Sequence, residues 1–130
     1  MNNVRVAVIG SRNVDESCYS LVCRHIPRNA SEIVSGGAVG VDSMAKRYAH
    51  AQNLPLRIIR PNYTGTDLYE KRRAPLARNR EIVDYADVVI AFWDGSSSGT
   101  AYTIEYARKC GKPVQVIMLK KEQNAKQTLK

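Results

Sequence analysis

The sequence predicts an α/β fold: a single domain on a doubly wound, parallel five-stranded sheet in the order 3-2-1-4-5. Three observations carry this expectation. Short apolar, β-branched runs alternate with stretches of helical periodicity, as in successive βαβ units. Most of those runs are apolar throughout rather than alternating, as strands covered on both faces are. Loops rich in Gly and Ser follow the first, second and fourth runs, where a doubly wound sheet places its ligand crevice.

The five strands are read at VRVAVI (4–9), EIVS (32–35), LRII (56–59), DVVIAFW (87–93) and PVQVIML (113–119). Helices are expected at about 15–26, 41–52, 76–86 and 99–110. The second carries Val41, Met44, Ala45, Tyr48 and Ala49 on one stripe at helical spacing. The third shows a looser stripe of Leu76, Ile82, Val83 and Ala86. The fourth stops at Gly111, a C-terminal cap, before Pro113 opens the last strand. The connection from Pro61 to Pro75 is read as a loop, long for a βα unit and for that reason a candidate functional segment.

A chain of 130 residues with 44% hydrophobic and 25% charged residues is long enough for one real core. No apolar run reaches the roughly 20 residues of a membrane span, and MNNVRVAVIG lacks the layout of a secretory signal. Cys18, Cys23 and Cys110 are odd in number and lack metal-ligand spacing, so reduced thiols, no metal and a cytoplasmic setting are expected. The formal net charge is +8. It divides between a basic tail over 120–130, expected to fray beyond a domain of residues 1–119, and the segment from Arg57 to Arg80 with a net +5. A basic segment beside a crevice raises the local concentration of anions.

The strand-end loops supply candidate binding residues. They are Gly10, Ser11 and Arg12 after the first strand, Gly36, Gly37, Ala38, Gly40 and Asp42 after the second, and Ser97, Ser98, Gly99 and Thr100 after the fourth. Glycine lets backbone N–H groups approach a ligand, hydroxyls add donors, and a helix N-terminus adds partial positive charge. Arg78 is a candidate phosphate contact, and Asn79 a candidate for a sugar or base. Neither GxxxxGK[ST] nor a GxGxxG after the first strand is present, which argues against ordinary NTPase and dehydrogenase readings. Tyr63 and Trp93 are weighed as base-stacking residues against a core role; His25 and His50 stand alone on helices.

With VIGSRN, SGGAVGVDSMA, RNRE and GSSSGT in hand, the chain resembles the Rossmann-like SLOG superfamily, which includes DprA and the LOG enzymes. Within it the chain looks most like the small stand-alone proteins related to YspA and YpsA. The resemblance spans residues 4 to about 118 and implies a nucleotide-like ligand or a nucleic acid at the loops above. Two positions depart from the pattern: Val39 stands where DprA-like loops favour arginine, and Ser98 where a basic residue is common. The Gly99-Thr100 turn also looks like that of nucleoside deoxyribosyltransferases and LOG phosphoribohydrolases, which place a glutamate one turn later. Here that position holds Thr103, and Glu105 lies about 200° further round the helix. Asp42 and Asp94 are the remaining catalytic candidates.

The expected function is therefore recognition of a nucleotide or nucleotide derivative, of ADP-ribose or NAD-derived type, without catalysis. Cleavage of an N-glycosidic bond and DprA-like binding of single-stranded DNA are the alternatives. The expected partners are a nucleotide-like small molecule, a nucleic acid and a second copy of the chain, with no membrane and no resident cofactor.

Overall fold

The computed structural model describes residues 3–64 and 67–120. The chain runs β1 (Val4–Gly10), α1 (Cys18–His25), β2 (Ala30–Ser35), α2 (Val41–Ala51), β3 (Leu56–Ile58), α3 (Leu68–Tyr85), β4 (Val88–Trp93), α4 (Ser98–Lys109) and β5 (Val114–Met118). All paired strands are parallel, in the order β3-β2-β1-β4-β5. The expected fold class and order are both observed, and the order reverses between β1 and β4. Apart from Lys120, the tail over 120–130 lies outside the described residues.

Strand alternation divides the core into two layers. Val6, Val8, Ile33, Ile90 and Phe92 pack with Val22 of α1 and Val41, Ala45 and Ala49 of α2. Ala7, Ile9, Val34, Val89 and Ala91 pack with Ile82 and Val83 of α3 and Ile104 and Ala107 of α4. Both faces are apolar because both are covered, which is why the strands read as unbroken runs. Full burial of each Val or Ile stabilises by about 1.5–3 kcal/mol. The three cysteines are free, and burial pushes the Cys18 thiol up to about 11.

The third helix corrects the sequence reading. It begins at Leu68, so the segment read as a loop from Pro61 to Pro75 is helical over its second half, and Pro75 lies inside the helix. Asp67 caps the start, its carboxylate accepting the Glu70 N–H at 2.8 Å. Residues 68–74, LYEKRRA, are mostly strong helix formers. Pro75 forfeits one backbone bond, to the Lys71 carbonyl, and a capped run on its N-terminal side outweighs that loss. The spacing Asp67-x-x-Glu70 was the available signal for this earlier start.

Candidate functional site

The site begins where β1 ends. A side chain at Gly10 would collide with the Phe92 carbonyl of β4 and meet Val41 Cγ2 at 2.8 Å, so only glycine lets the three elements close here. The next residue is held from both sides. The Ser11 N–H donates to the Phe92 carbonyl at 3.2 Å, and the Ser11 carbonyl accepts the Val41 N–H at 3.1 Å. Its backbone is thus pinned between β4 and α2. The side chain is 2% exposed, and its Oγ makes no hydrogen bond of good geometry among the described residues, although it stands near enough to Asp94 to favour that carboxylate's charge. A buried hydroxyl without a partner costs about 1–3 kcal/mol. This one lines an open cleft of about 370 Å³ at the reversal point of the sheet.

The second loop forms one wall. Gly40 opens α2 with φ +80°, and a side chain there would strike the Arg12 backbone. The Asp42 carboxylate does not cap α2; it reaches back to accept the Ala38 N–H at 3.0 Å. Arg78, 6% exposed, reaches over from α3. Its Nη1 donates to the carbonyls of Gly36 at 2.7 Å and Ile59 at 3.4 Å, and its Nε to Asn79 Oδ1 at 2.8 Å. A Cβ on Gly36 would stand 2.6 Å from Arg78 Nη1, so that glycine makes room for the guanidinium. Arg78 thereby ties the ends of β2 and β3 to α3 while lining the cleft, and its Nη2 has no hydrogen-bond partner among the described residues. Burial pushes the Asp42 carboxyl up, against the pull of the Ala38 amide and of the Arg78 and Arg12 charges. Burial likewise works against the Arg78 charge, with Asp42 opposing it.

The loop after β4 forms the opposite wall. Asp94 Oδ1 accepts the N–H groups of Ser96 and Ser97, each at 2.8 Å. Burial pushes this carboxyl up, but those amides and nearby hydroxyls outweigh it and leave it below the usual carboxylate range. Trp93 Nε1 donates to the Ser97 carbonyl at 3.0 Å, which makes the indole a brace for the loop rather than a free stacking surface. Ser97 Oγ and Thr100 Oγ1 lie 3.2 Å apart. The first intrahelical bond of α4 is Ala101 N–H to the Ser97 carbonyl. The N–H groups of Ser98, Gly99 and Thr100 therefore have no acceptor among the described residues, as expected of a helix start. Thr103 lines the cleft, but its hydroxyl donates to the Gly99 carbonyl at 2.8 Å. Glu105 is exposed on the other side of α4.

Of the residues singled out in the sequence, Gly10, Ser11, Arg12, Ala38, Asp42, Arg78, Asn79, Ser97, Gly99 and Thr100 meet at the cleft, with Asp94. Gly36, Gly37, Gly40 and Ser98 do not line it. Gly37 has φ +77°, and the Arg60 guanidinium lies where its side chain would be. Sequence reasoning missed Asn13, Pro75, Leu76 and Ile82, which also face the cleft. Leu76 and Ile82 carried an apolar periodicity that reads as core, so no sequence signal separated them from it. Among the described residues no three His, Cys, Asp or Glu side chains group as metal ligands, and no helix is long and apolar enough to cross a membrane.

A doubly wound parallel sheet with glycine- and serine-lined loops at its switch point defines a Rossmann-like fold. Comparison with known proteins narrows the class. The profile of the family described as DNA recombination-mediator protein A matches residues 1–59. DNA processing protein A from Helicobacter pylori, described for its single-stranded DNA binding mode, has a similar fold: TM-score 0.70, 24% identity, covering 93% of this chain and 68% of that one. DprA from Streptococcus pneumoniae gives TM-score 0.72 and 21% identity, covering 91% of this chain and 51% of the other. This chain thus spans about half the length of the pneumococcal protein. No curated protein sequence matches it. The chain is thus similar to the DNA recombination-mediator protein A family over residues 1–59, and to the fold of DprA over nearly all its length.

Proposed function

We propose that the cleft binds the phosphate of a nucleotide unit, free or within a single strand of nucleic acid. One observation carries the reading: Ser11 Oγ is buried, unpartnered and in the same cleft as the free amides at the start of α4. A phosphate oxygen would satisfy the hydroxyl and those N–H groups together, with Arg12 and Arg78 Nη2 offsetting its charge. Asp42 and Asn79 would meet the sugar or base. Binding is favoured over bond cleavage because each candidate acid in the cleft already serves the backbone through one of its oxygens, and Thr103 stands where a cleaving carboxylate would be expected. Asp42 holds the Ala38 amide, Asp94 holds those of Ser96 and Ser97, and the Thr103 hydroxyl is bonded to the Gly99 carbonyl.

The single-strand form of the reading is supported by the likeness to the Helicobacter pylori protein and by the net +8 charge. Calorimetric titration of the full chain with 5′-dTMP, 5′-AMP, ADP-ribose, thymidine and oligo(dT) tests it. The phosphate-bearing ligands should bind and thymidine should not. Failure of every phosphate ligand at millimolar concentration, or equal binding of thymidine, would overturn the reading. Oligonucleotide affinity must also fall steeply with salt.

A further inference from the structure

The strands run parallel, so the starts of β2 and β3 gather at the end of the sheet opposite the cleft, together with the last turns of α1 and α2. A half-open cavity of about 700 Å³ lies there, within the size range of small-molecule sites. Its floor is apolar: Ile26 and Ala30, both buried, with Leu54 ahead of β3.

Tyr48 of α2 also lines this cavity, and its ring packs in the core layer of α1 and α2 with 8% of the residue exposed. A phenol buried this far ordinarily has a hydrogen-bond partner. Tyr48 Oη has none among the described residues. Burial pushes the phenol up, the Cys23 thiol adds to this, and the Arg28 charge opposes it. The hydroxyl therefore keeps its proton near neutrality and is free to donate.

Two arginines complete the lining. Arg24 and Arg28 are exposed at the mouth, and neither has an acidic partner among the described residues. No Asp or Glu lines the cavity. Arg24 lies in the last turn of α1, where its charge also offsets the terminal carbonyls of the helix. Arg28 lies beyond that helix, close enough for its charge to act on Tyr48. At this end α1 and α2 present carbonyls, not the amide ends that α2 and α4 turn toward the cleft. Carbonyl ends repel a doubly charged phosphate more than a single negative charge, and a guanidinium pairs with a carboxylate through two parallel bonds.

We propose that this cavity is a second ligand site, which takes a small amphipathic carboxylate. Its apolar body lies against Ile26, Ala30 and Leu54, and its carboxylate is held by Arg28 and the Tyr48 hydroxyl, with Arg24 adding charge. The site shares no residue with the cleft, so it stands or falls apart from the phosphate reading.

The test is an NMR titration of the ¹⁵N-labelled full chain with 1-naphthoate, against neutral 1-naphthamide, acetate and inorganic phosphate. Naphthoate should bind with a Kd on the order of 1 mM, as expected for a ligand of about 13 non-hydrogen atoms. It should shift the amides of Ile26, Ala30 and Leu54 and leave those of Ser11 and Gly99 in place. The other three probes should bind there at least about tenfold more weakly. Tyr48→Phe keeps the ring and removes the donor; Arg28→Gln removes the charge at an exposed position. Each should weaken naphthoate about tenfold, the loss expected for one hydrogen bond to a charged group, with the fold verified by circular dichroism. Equal binding of naphthamide or acetate, unchanged naphthoate affinity in either variant, shifts confined to the cleft, or no binding at about ten times the expected Kd would each overturn the proposal. Tighter binding of phosphate than of naphthoate in this cavity would overturn it as well, in favour of a plain anion site.

Discussion

Replacing Ser11 by alanine separates a binding hydroxyl from a structural one. The change deletes one oxygen and keeps the Cβ, so the core around β1 keeps its packing. In the unliganded protein Ser11 Oγ is buried without a protein partner. Removing such a group relieves a penalty of about 1–3 kcal/mol. Because the cleft is open to water, the gain belongs at the low end, about 1 kcal/mol, or about 4 °C in Tm for a domain of this size. The ligand responds in the opposite sense. A hydrogen bond to a charged phosphate contributes about 1.5–3 kcal/mol, so affinity should fall about 10- to 100-fold. Thermal unfolding with and without 5′-dTMP reads both quantities in one series. Ser11→Ala should melt higher alone and gain less from the nucleotide. A variant that melts lower and binds as before would refute the reasoning, since the hydroxyl would then be holding the fold.

Three further outcomes follow from the site. Gly40→Ala forces a side chain into φ +80° and against the Arg12 backbone; strain and overlap together should cost about 3–5 kcal/mol, seen as a lower midpoint in urea. Trp93→Phe deletes the bond to the Ser97 carbonyl and should cost about 1 kcal/mol, with nucleotide affinity reduced less than tenfold as the loop before α4 loosens. Asp42→Asn keeps an acceptor for the Ala38 amide while removing a buried charge. Burial raises the folded-state value of Asp42 above 3.8, so its stabilising contribution is complete below that pH and is lost as pH rises through the folded value. The Asn variant should therefore be more stable than the parent near neutrality, with the gap closing as pH falls. Anion binding by the parent should strengthen over the same interval, because protonation removes a repelling carboxylate; parallel melts and titrations across pH check both.

The sheet was legible because its physics is local: runs such as VRVAVI and DVVIAFW are apolar on both faces, and the glycines after them need room that only a strand-end turn provides. The start of α3 was not, although Asp67 and Glu70 announced it. The reading placed the helix after Pro75, whereas in the chain one missing backbone bond is a small loss against a capped turn of good helix formers. The cleft's polar residues were legible as types but not as partnerships. Nothing in RNRE says that Arg78 gives Nη1 to two carbonyls of other strands, because those acceptors lie 42 and 19 residues away. Nor does a Gly-Ser pair reveal which serine oxygen lacks a partner.

That difference between type and partnership decides what chemistry the cleft can do. Asp42, Asp94 and Thr103 are residue types that elsewhere move protons or meet developing charge, and all three line this cavity. Each is tied to the backbone through one side-chain oxygen: Asp42 to the second loop, Asp94 to the loop after β4, Thr103 to the first turn of α4. The groups without internal partners are of another kind: Ser11 Oγ, the amides that begin α4 and one nitrogen of Arg78. All can donate a hydrogen bond to an anion, which is what the proposed phosphate site requires.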